Sequence, residues 1–349
     1  MKIMKNELSQ AINKVKSIVP KNNQNSVLQG LLVNDGYLIA SNTELMIKIK
    51  LSAGENEKFV IPARAFDLIL NLPNEEIELK SNINEVLISA TSIKNKYQTV
   101  DPETFPQPKM SDNINEIALS GEKLYESLKR TIFAASKKEN NLIAAAIDFS
   151  ADKGYLNITG LDGHVVAWDK IIYDGGFELL IPRYAVEKLL ALGITGEVTI
   201  KYSKTGALIK TKDYELYTRL VSGQYFQYQK MFKELPLHTV VNRIAFLEAM
   251  NRAKMCIVDK GHVRIILNGT QMKVTVKNMN TDYSEIVELQ EEMSEELVIG
   301  FDARLVTETL KAFDCENIGI QFQSPKYPMI VEAEDSEFRA LVLPVTLRE

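Results

Sequence analysis

One layout is written three times along this chain, about once every 120 residues. In each copy an apolar strand runs into a helix: Val60-Ile61-Pro62-Ala63-Arg64-Ala65-Phe66, then Leu180-Ile181-Pro182-Arg183-Tyr184-Ala185-Val186, then Val298-Ile299-Gly300-Phe301-Asp302-Ala303-Arg304. Ile61, Ile181 and Ile299 lie 120 and 118 residues apart. An alternating strand stands upstream in each copy, at Tyr37–Ser41, Tyr155–Thr159 and Met272–Val276. The spacing closes each copy with a strand that begins at Tyr97, Tyr217 or Phe338. A period this long is domain-sized and too long for a solenoid.

Three copies in 349 residues divide the chain into domains at 1–112, 113–236 and 237–349. Each has enough chain to bury a core without staples. The joints fall at Asp101–Asn115 and Gly223–Thr239, where prolines and aromatics mix with polar residues. Two cysteines far apart, Cys256 and Cys315, fit a reducing compartment and read as buried small apolar residues. The first residues lack the apolar stretch of a signal peptide, and no apolar run approaches a membrane span. The expectation is a cytoplasmic protein that does not engage a membrane.

The middle copy is the most legible. Ile114–Leu119 reads as a strand, Ser120 as a helix cap, and Leu124, Leu128, Ile132 and Ala135 as a buried stripe at helical spacing. Strands follow at Leu142–Ile147, Tyr155–Thr159 and His164–Ile172. Phe177–Ile181 then leads into a second helix, Pro182–Leu192, ended by Gly193. Strands at Glu197–Lys201, Ala207–Lys210 and Tyr214–Val221 complete it. Each copy is therefore itself doubled, strand-helix-strands twice over, and the class is α+β. Six helices are expected, at Asn6–Val19, Ala63–Leu72, Gly121–Lys138, Arg183–Leu192, Arg243–Cys256 and Asp302–Phe313.

Those helices hold 15 Lys and Arg against 8 Asp and Glu, which leaves −12 for the rest of a chain whose net charge is −5. The cations include Lys14, Lys16, Lys123, Lys129, Arg130, Lys137, Lys138, Arg183, Lys188, Arg243, Arg252 and Lys254. Helices sharing one face would offer a polyanion backbone a cationic surface. The plainer reading is that surface helices of any protein carry Lys and Arg. No base-reading motif is present, so DNA contact would be phosphate-directed and independent of sequence.

Taken together, the strand-helix phrases, Leu28-Gln29-Gly30-Leu31-Leu32, Ala40–Leu45, Asp162-Gly163-His164, Phe301–Phe313 and the closing Ala340–Glu349 carry a resemblance. The chain resembles the bacterial DNA polymerase III beta subunit family, the sliding clamps, over its whole length and in register. That resemblance implies three similar domains forming half of a ring, with helices inside and sheets outside, closed by a second subunit. It implies a non-catalytic processivity factor, part of a polymerase (nucleotidyltransferase) holoenzyme, with double-stranded DNA as a partner. It needs no cofactor and no metal. The polymerase catalytic subunit and the clamp loader would dock on it through short peptides.

Matching the family's peptide pocket residue by residue gives Ile143, Leu161, Gly163, His164, Val165, Val166, Phe226, Lys230, Met231, Asp302, Leu305, Pro328, Leu341, Val342, Leu343, Pro344, Val345 and Leu347. A two-fold dimer would join Tyr97–Val100, with Tyr97 and Thr99, to Arg252–Ile257, with Met255, Cys256 and Ile257. The chain departs from the family at Val165, where an arginine is usual, at Gln224–Tyr228, and at Arg348-Glu349, past the usual terminal leucine.

Other readings stay open on the residues alone. Asp162 and His164 could be an acid–base pair of a hydrolase; the alternative is a tight turn at Gly163. Gly193-Ile194-Thr195-Gly196 follows a helix and lacks the lysine of a phosphate loop, so it reads as a turn. The apolar run Ala340–Leu343, broken by Pro344, leaves Val345 and Leu347 either to cover their own core or to meet a partner. A diverged clamp, from a mobile element and with other partners, fits the altered pocket.

Overall fold

The computed structural model describes residues 1–21, 26–82, 84–111, 113–138, 140–258 and 262–347; Arg348-Glu349 and the expected boundary at Asp112 lie outside the described residues. The first copy runs β1 (Lys2–Met4), α1 (Lys5–Val15), β2 (Gly30–Asn34), β3 (Tyr37–Ser41) and β4 (Leu45–Lys50). It continues with β5 (Lys58–Pro62), α2 (Phe66–Asn71), β6 (Glu76–Ser81), β7 (Glu85–Ala90) and β8 (Ile93–Gln98). The second is β9 (Asn115–Ser120), α3 (Gly121–Thr131), β10 (Ala146–Asp152), β11 (Tyr155–Leu161) and β12 (Val165–Ile172). Then come β13 (Phe177–Pro182), α4 (Arg183–Leu192), β14 (Glu197–Tyr202), β15 (Gly206–Lys210) and β16 (Tyr214–Arg219). The third is β17 (Leu237–Asn242), α5 (Arg243–Met255), β18 (Val263–Lys277), β19 (Asp282–Phe301), α6 (Ala303–Lys311), β20 (Asn317–Phe322), β21 (Met329–Glu332) and β22 (Arg339–Val342). In that copy β18 and β19 are long and slip register between Leu267 and Gln271, so each serves as two successive strands. Counted so, strand-helix-three-strands occurs six times.

The chain folds into two compact units, Met1–Glu122 with Lys188–Leu220, and Lys123–Glu187 with the chain from Val221 onward. The first holds a four-stranded sheet, β1-β6-β7-β8, and an eight-stranded one, β5-β2-β3-β4-β16-β15-β14-β9. The second holds a ten-stranded sheet, β13-β10-β11-β12-β22-β21-β20-β17-β19-β18. Two pairings join the copies. Met46 of β4 faces Tyr217 of β16, and Val166 of β12 faces Leu341 of β22.

Helix faces follow their apolar spacing. Leu8, Ala11, Ile12 and Val15 line the buried stripe of α1, and Phe246, Ala249, Met250 and Ala253 repeat the same offsets on α5. The α5 stripe packs into a core with Ile265 and Leu267 of β18, Ile299 and Phe301 of β19, and Leu305, Val306 and Leu310 of α6.

Several expectations need correction. The strand expected at Leu142–Ile147 is a turn to Ala145, and β10 begins at Ala146. The helix expected to reach Lys138 ends at Thr131, followed by a 3-10 turn over Ile132–Ala134 and an extended Ala135, so Lys137 and Lys138 stand beyond it. Lys16 lies in a 3-10 turn after α1, and α2 is preceded by one over Ala63–Ala65. Tyr97 and Tyr217 fall within β8 and β16 rather than opening them, Phe338 precedes β22, and Thr99 and Val100 follow β8. Cys256 and Cys315 are half-buried at a core margin, not enclosed. Gly193 does end α4, with φ of 79° and its N–H donating to Leu189 O. With these bounds the helices carry 12 Lys and Arg against 7 Asp and Glu.

Candidate functional site

Within the second unit, β10, β11, β12, β13, β21 and β22 and the segment after β16 bring together an apolar cluster. Ala144, Ala146, Leu161, Val166, Leu180, Ile330 and Leu341 form its floor, and Tyr225, Tyr228 and Leu235 cover it. Ile143, Trp168, Phe232, Tyr327 and Leu343 pack at its margin, half-buried. Five of the expected pocket residues meet here: Ile143, Leu161, Val166, Leu341 and Leu343. Sequence reading missed the aromatics. Trp168 stands edge-on to Tyr228 at 5.5 Å and tilted to Phe232 at 5.2 Å between ring centroids. The indole N–H donates to Asn157 Oδ1 at 2.9 Å, and the Lys170 ammonium lies 4.7 Å from the Trp168 ring. Three aromatics in four residues, Tyr225, Phe226 and Tyr228, were the available signal.

A polar kernel sits inside this cluster. The Tyr225 hydroxyl donates toward Thr159 O at 3.3 Å, and that of Tyr228 toward Asp148 Oδ2 at 3.4 Å. Asp148 is buried on β10, and its Oδ1 has no partner among the described residues. Burial, then the nearby Glu178 charge, pushes this carboxyl up to about 7 against the opposing Tyr228 bond.

The remaining pocket positions lie elsewhere. Alternation along the paired strands turns Val165 and Val342 into the core beneath the opposite face, where Leu305 also lies. Asp302 caps α6, accepting from the Arg304 and Leu305 amides at 2.8 and 3.4 Å. Pro328 is buried, Phe226 and Met231 are exposed, and Lys230 donates to Gln227 at 3.0 Å. Asp162-Gly163-His164 is the tight turn between β11 and β12. Gly163 has a φ of 86°, and Asp162 accepts from the His164 amide at 3.0 Å.

The closing segment is tied down by its backbone. Leu343 N–H donates to His164 O, and Val345 N–H to Gly300 O, each at 2.8 Å. Pro344, Val345 and Leu347 are half-buried.

Many of the helix cations are engaged within the chain. Arg183, at the start of α4, donates to the carbonyls of Ile132 and Ala135, where the helical path of α3 ends, and pairs with Glu187 at 2.8 Å. Arg243, at the start of α5, does the same for α6, reaching Cys315 O at 2.6 Å and Leu310 O at 3.4 Å. Arg130 pairs with Asp314 at 3.4 Å and Asp169 at 4.0 Å, and Arg252 makes a two-pronged bond to Glu285 at 2.9 and 2.6 Å. Lys188 donates to Ser17 at 2.8 Å, and Lys129 lies 3.9 Å from Glu126. Lys14, Lys16, Lys137, Lys138 and Lys254 are exposed. Lys123, also exposed, is engaged.

Besides the sheet-terminal strands β1, β5, β9 and β13, two strands lack, among the described residues, the partner from another copy that their counterparts have. β8 is bonded only to β7, and Asp282–Glu288 of β19 only to β18. Met255, Val258 and Ile286, in the unit that carries this β19 edge, are 84%, 57% and 53% exposed. Of the other expected dimer residues, Thr99 donates its hydroxyl to Val60 O at 2.6 Å, Tyr97 is half-buried, and Cys256 and Ile257 pack at the core margin. No helix among the described residues is long and apolar enough to cross a membrane.

Comparison with known proteins points one way. The family profile of the DNA polymerase III beta subunit N-terminal domain matches residues 1–110, and that of its C-terminal domain matches residues 233–346, well over half of the chain together. The beta sliding clamp of Synechococcus elongatus is 24% identical over 98% of both chains, and that of Halalkalibacterium halodurans 23% identical over 94% of both. The fold matches the sliding clamp of Bartonella birtlesii with a TM-score of 0.92 at 22% identity and that of Bacillus subtilis with 0.91 at 20%. Each match covers 99% of both chains.

Proposed function

The chain belongs to the DNA polymerase III beta subunit family, the bacterial sliding clamps, and on that premise we propose that two copies close a ring around duplex DNA and hold a replicative polymerase on its template. The observation that carries this is the unfinished repeat. Three copies make two inter-copy strand junctions, β4 with β16 and β12 with β22, and leave β8 and the first part of β19 with open edges. A second subunit related by a two-fold axis completes both missing junctions at once. The registers already made, carried over ladder by ladder, set Asn95 against Glu285, with Lys94 and Lys96 on either side of it. The two edges also complement each other, with Lys94 and Lys96 on one and Asp282, Glu285 and Glu288 on the other. This replaces the Tyr97–Val100 to Arg252–Ile257 pairing as the seam, with Met255, Cys256 and Ile257 flanking it.

In this reading the domains are 1–112, 113–236 and 237–349, the helices face the DNA, and the protein works in the cytoplasm. It performs no chemistry of its own, because enclosure rather than affinity supplies residence on DNA. The exposed lysines give the DNA a weak, phosphate-directed contact. The aromatic-lined cluster of the second unit receives short peptides from the polymerase and the loader, whose apolar anchors supply most of the binding energy. The test is topological. Clamp loaded onto a nicked circular plasmid by its clamp loader should stay bound at about 0.5 M salt and leave when the plasmid is cut once. Equal retention on linear and circular DNA would overturn the proposal.

A further inference from the structure

In the phrase that joins strand to helix, the third copy lacks the proline of the other two. Pro62 and Pro182 close the strand before the helix in the first and second copies, each following an isoleucine. After Ile299 the corresponding residue is Gly300. It lies buried on β19, opposite Arg264 of β18. A Cβ at this position would stand 2.5 Å from Leu347 Cδ2, 3.0 Å from Leu347 Cγ and 3.0 Å from Val345 O. The absent side chain is a notch, and Leu347 fills it.

The backbone leads Leu347 there. Leu343 N–H is held by His164 O and Val345 N–H by Gly300 O, while Pro344 between them has no N–H to place. Leu343 is thereby set at the margin of the aromatic cluster. Among the described residues, the segment beyond β22 is held against fraying by these two backbone bonds, the second of them part of an isolated bridge between Gly300 and Val345. The seating of Leu347 at Gly300 is therefore the apolar contact that secures the end of the segment.

Building on the docking reading above, we propose that Gly300 and Leu347 form an anchor that holds Leu343 and Val345 in place as one wall of the partner-docking site. Leu347 is then a positioning residue: it raises partner affinity by pre-ordering the wall and does not itself touch the partner. Gly300 is the residue that makes this possible, since a Cβ there would press on Leu347 and on the Val345 carbonyl.

The test pairs affinity with local order. Immobilised DNA polymerase III catalytic subunit is titrated with wild type, Leu343→Ala, Leu347→Ala, Leu347→Met and Gly300→Ala. Hydrogen exchange of the Val345 amide is followed in each free protein. Leu347→Ala and Gly300→Ala should weaken binding about five- to fiftyfold and speed Val345 exchange about tenfold or more, and Leu347→Met should restore both. Leu343→Ala should weaken binding with Val345 exchange unchanged. Weaker binding by Leu347→Ala with wild-type exchange would make Leu347 a partner contact and overturn the anchor, as would no change in either readout. Should wild type itself fail to bind the polymerase subunit, the docking reading falls. Val345 exchange in Leu347→Ala still decides the anchor in that case.

Discussion

Asp148 and Tyr228 meet inside the apolar cluster of the second unit through a bond 3.4 Å long, and the second carboxyl oxygen of Asp148 has no partner among the described residues. A charge there is poorly compensated, which is why the carboxyl is pushed up to about 7. For an acid whose folded value is raised, the favourable contribution is full below the unfolded value of 3.8 and is lost as pH rises through about 7. Asp148→Asn removes this dependence. Relative to wild type, the variant should gain about 2–3 kcal/mol between pH 5 and pH 8 in urea unfolding. An identical difference at the two pH values would show that Asp148 does not titrate in that window.

Arg183 and Arg130 are placed to stabilise the second unit. Arg183→Ala leaves the carbonyls of Ile132 and Ala135 without their charged donor and should cost about 1.5–3 kcal/mol. Arg130→Glu sets a third carboxylate beside Asp169 and Asp314 and should cost about 2–4 kcal/mol. Lys129→Glu, at an exposed site, should stay within about 0.5 kcal/mol. Urea midpoints rank the three, and an Arg183→Ala protein as stable as wild type would show that the capping bonds do not hold the fold.

DNA contact should rest on the exposed lysines. Replacing Lys14, Lys16 and Lys254 with alanine should weaken binding equally across sequences and flatten the salt dependence by up to about 0.9 for each lysine that meets a phosphate. Fluorescence anisotropy on two unrelated duplexes between 50 and 200 mM salt measures both. An unchanged slope would place the DNA on another surface.

The sequence displayed its architecture because repetition is a one-dimensional signal. Ile61, Ile181 and Ile299 each sit on the strand before a helix, and all six helices are present with ends shifted by up to seven residues. Strand β10 was misplaced because Leu142–Ile147 is apolar like a strand but is needed to turn the chain toward the sheet. The intrachain bonds of the arginines were not legible in the sequence. Arg183 and Arg243 are cations on helices, yet their partners are carbonyls some 50 to 70 residues away, which no local pattern reveals. Burial of Asp148 was equally hidden, because Ala-Ile-Asp-Phe alternates like a half-exposed strand. Val165 and Val342 were assigned to the pocket by resemblance, whereas the pleat turns them to the other face. The seat of Leu347 at Gly300 joins residues 47 positions apart, which no local pattern reveals.

The central claim is closure by a second copy, and solution mass tests it most directly. Sedimentation at micromolar concentration should give about twice the 39.4 kDa of one chain. Ile286→Lys, which sets a cation on the open edge of β19 that faces the lysines of β8, should shift the distribution toward one chain while the fold persists. A wild-type protein that sediments as a single chain under these conditions would contradict the account.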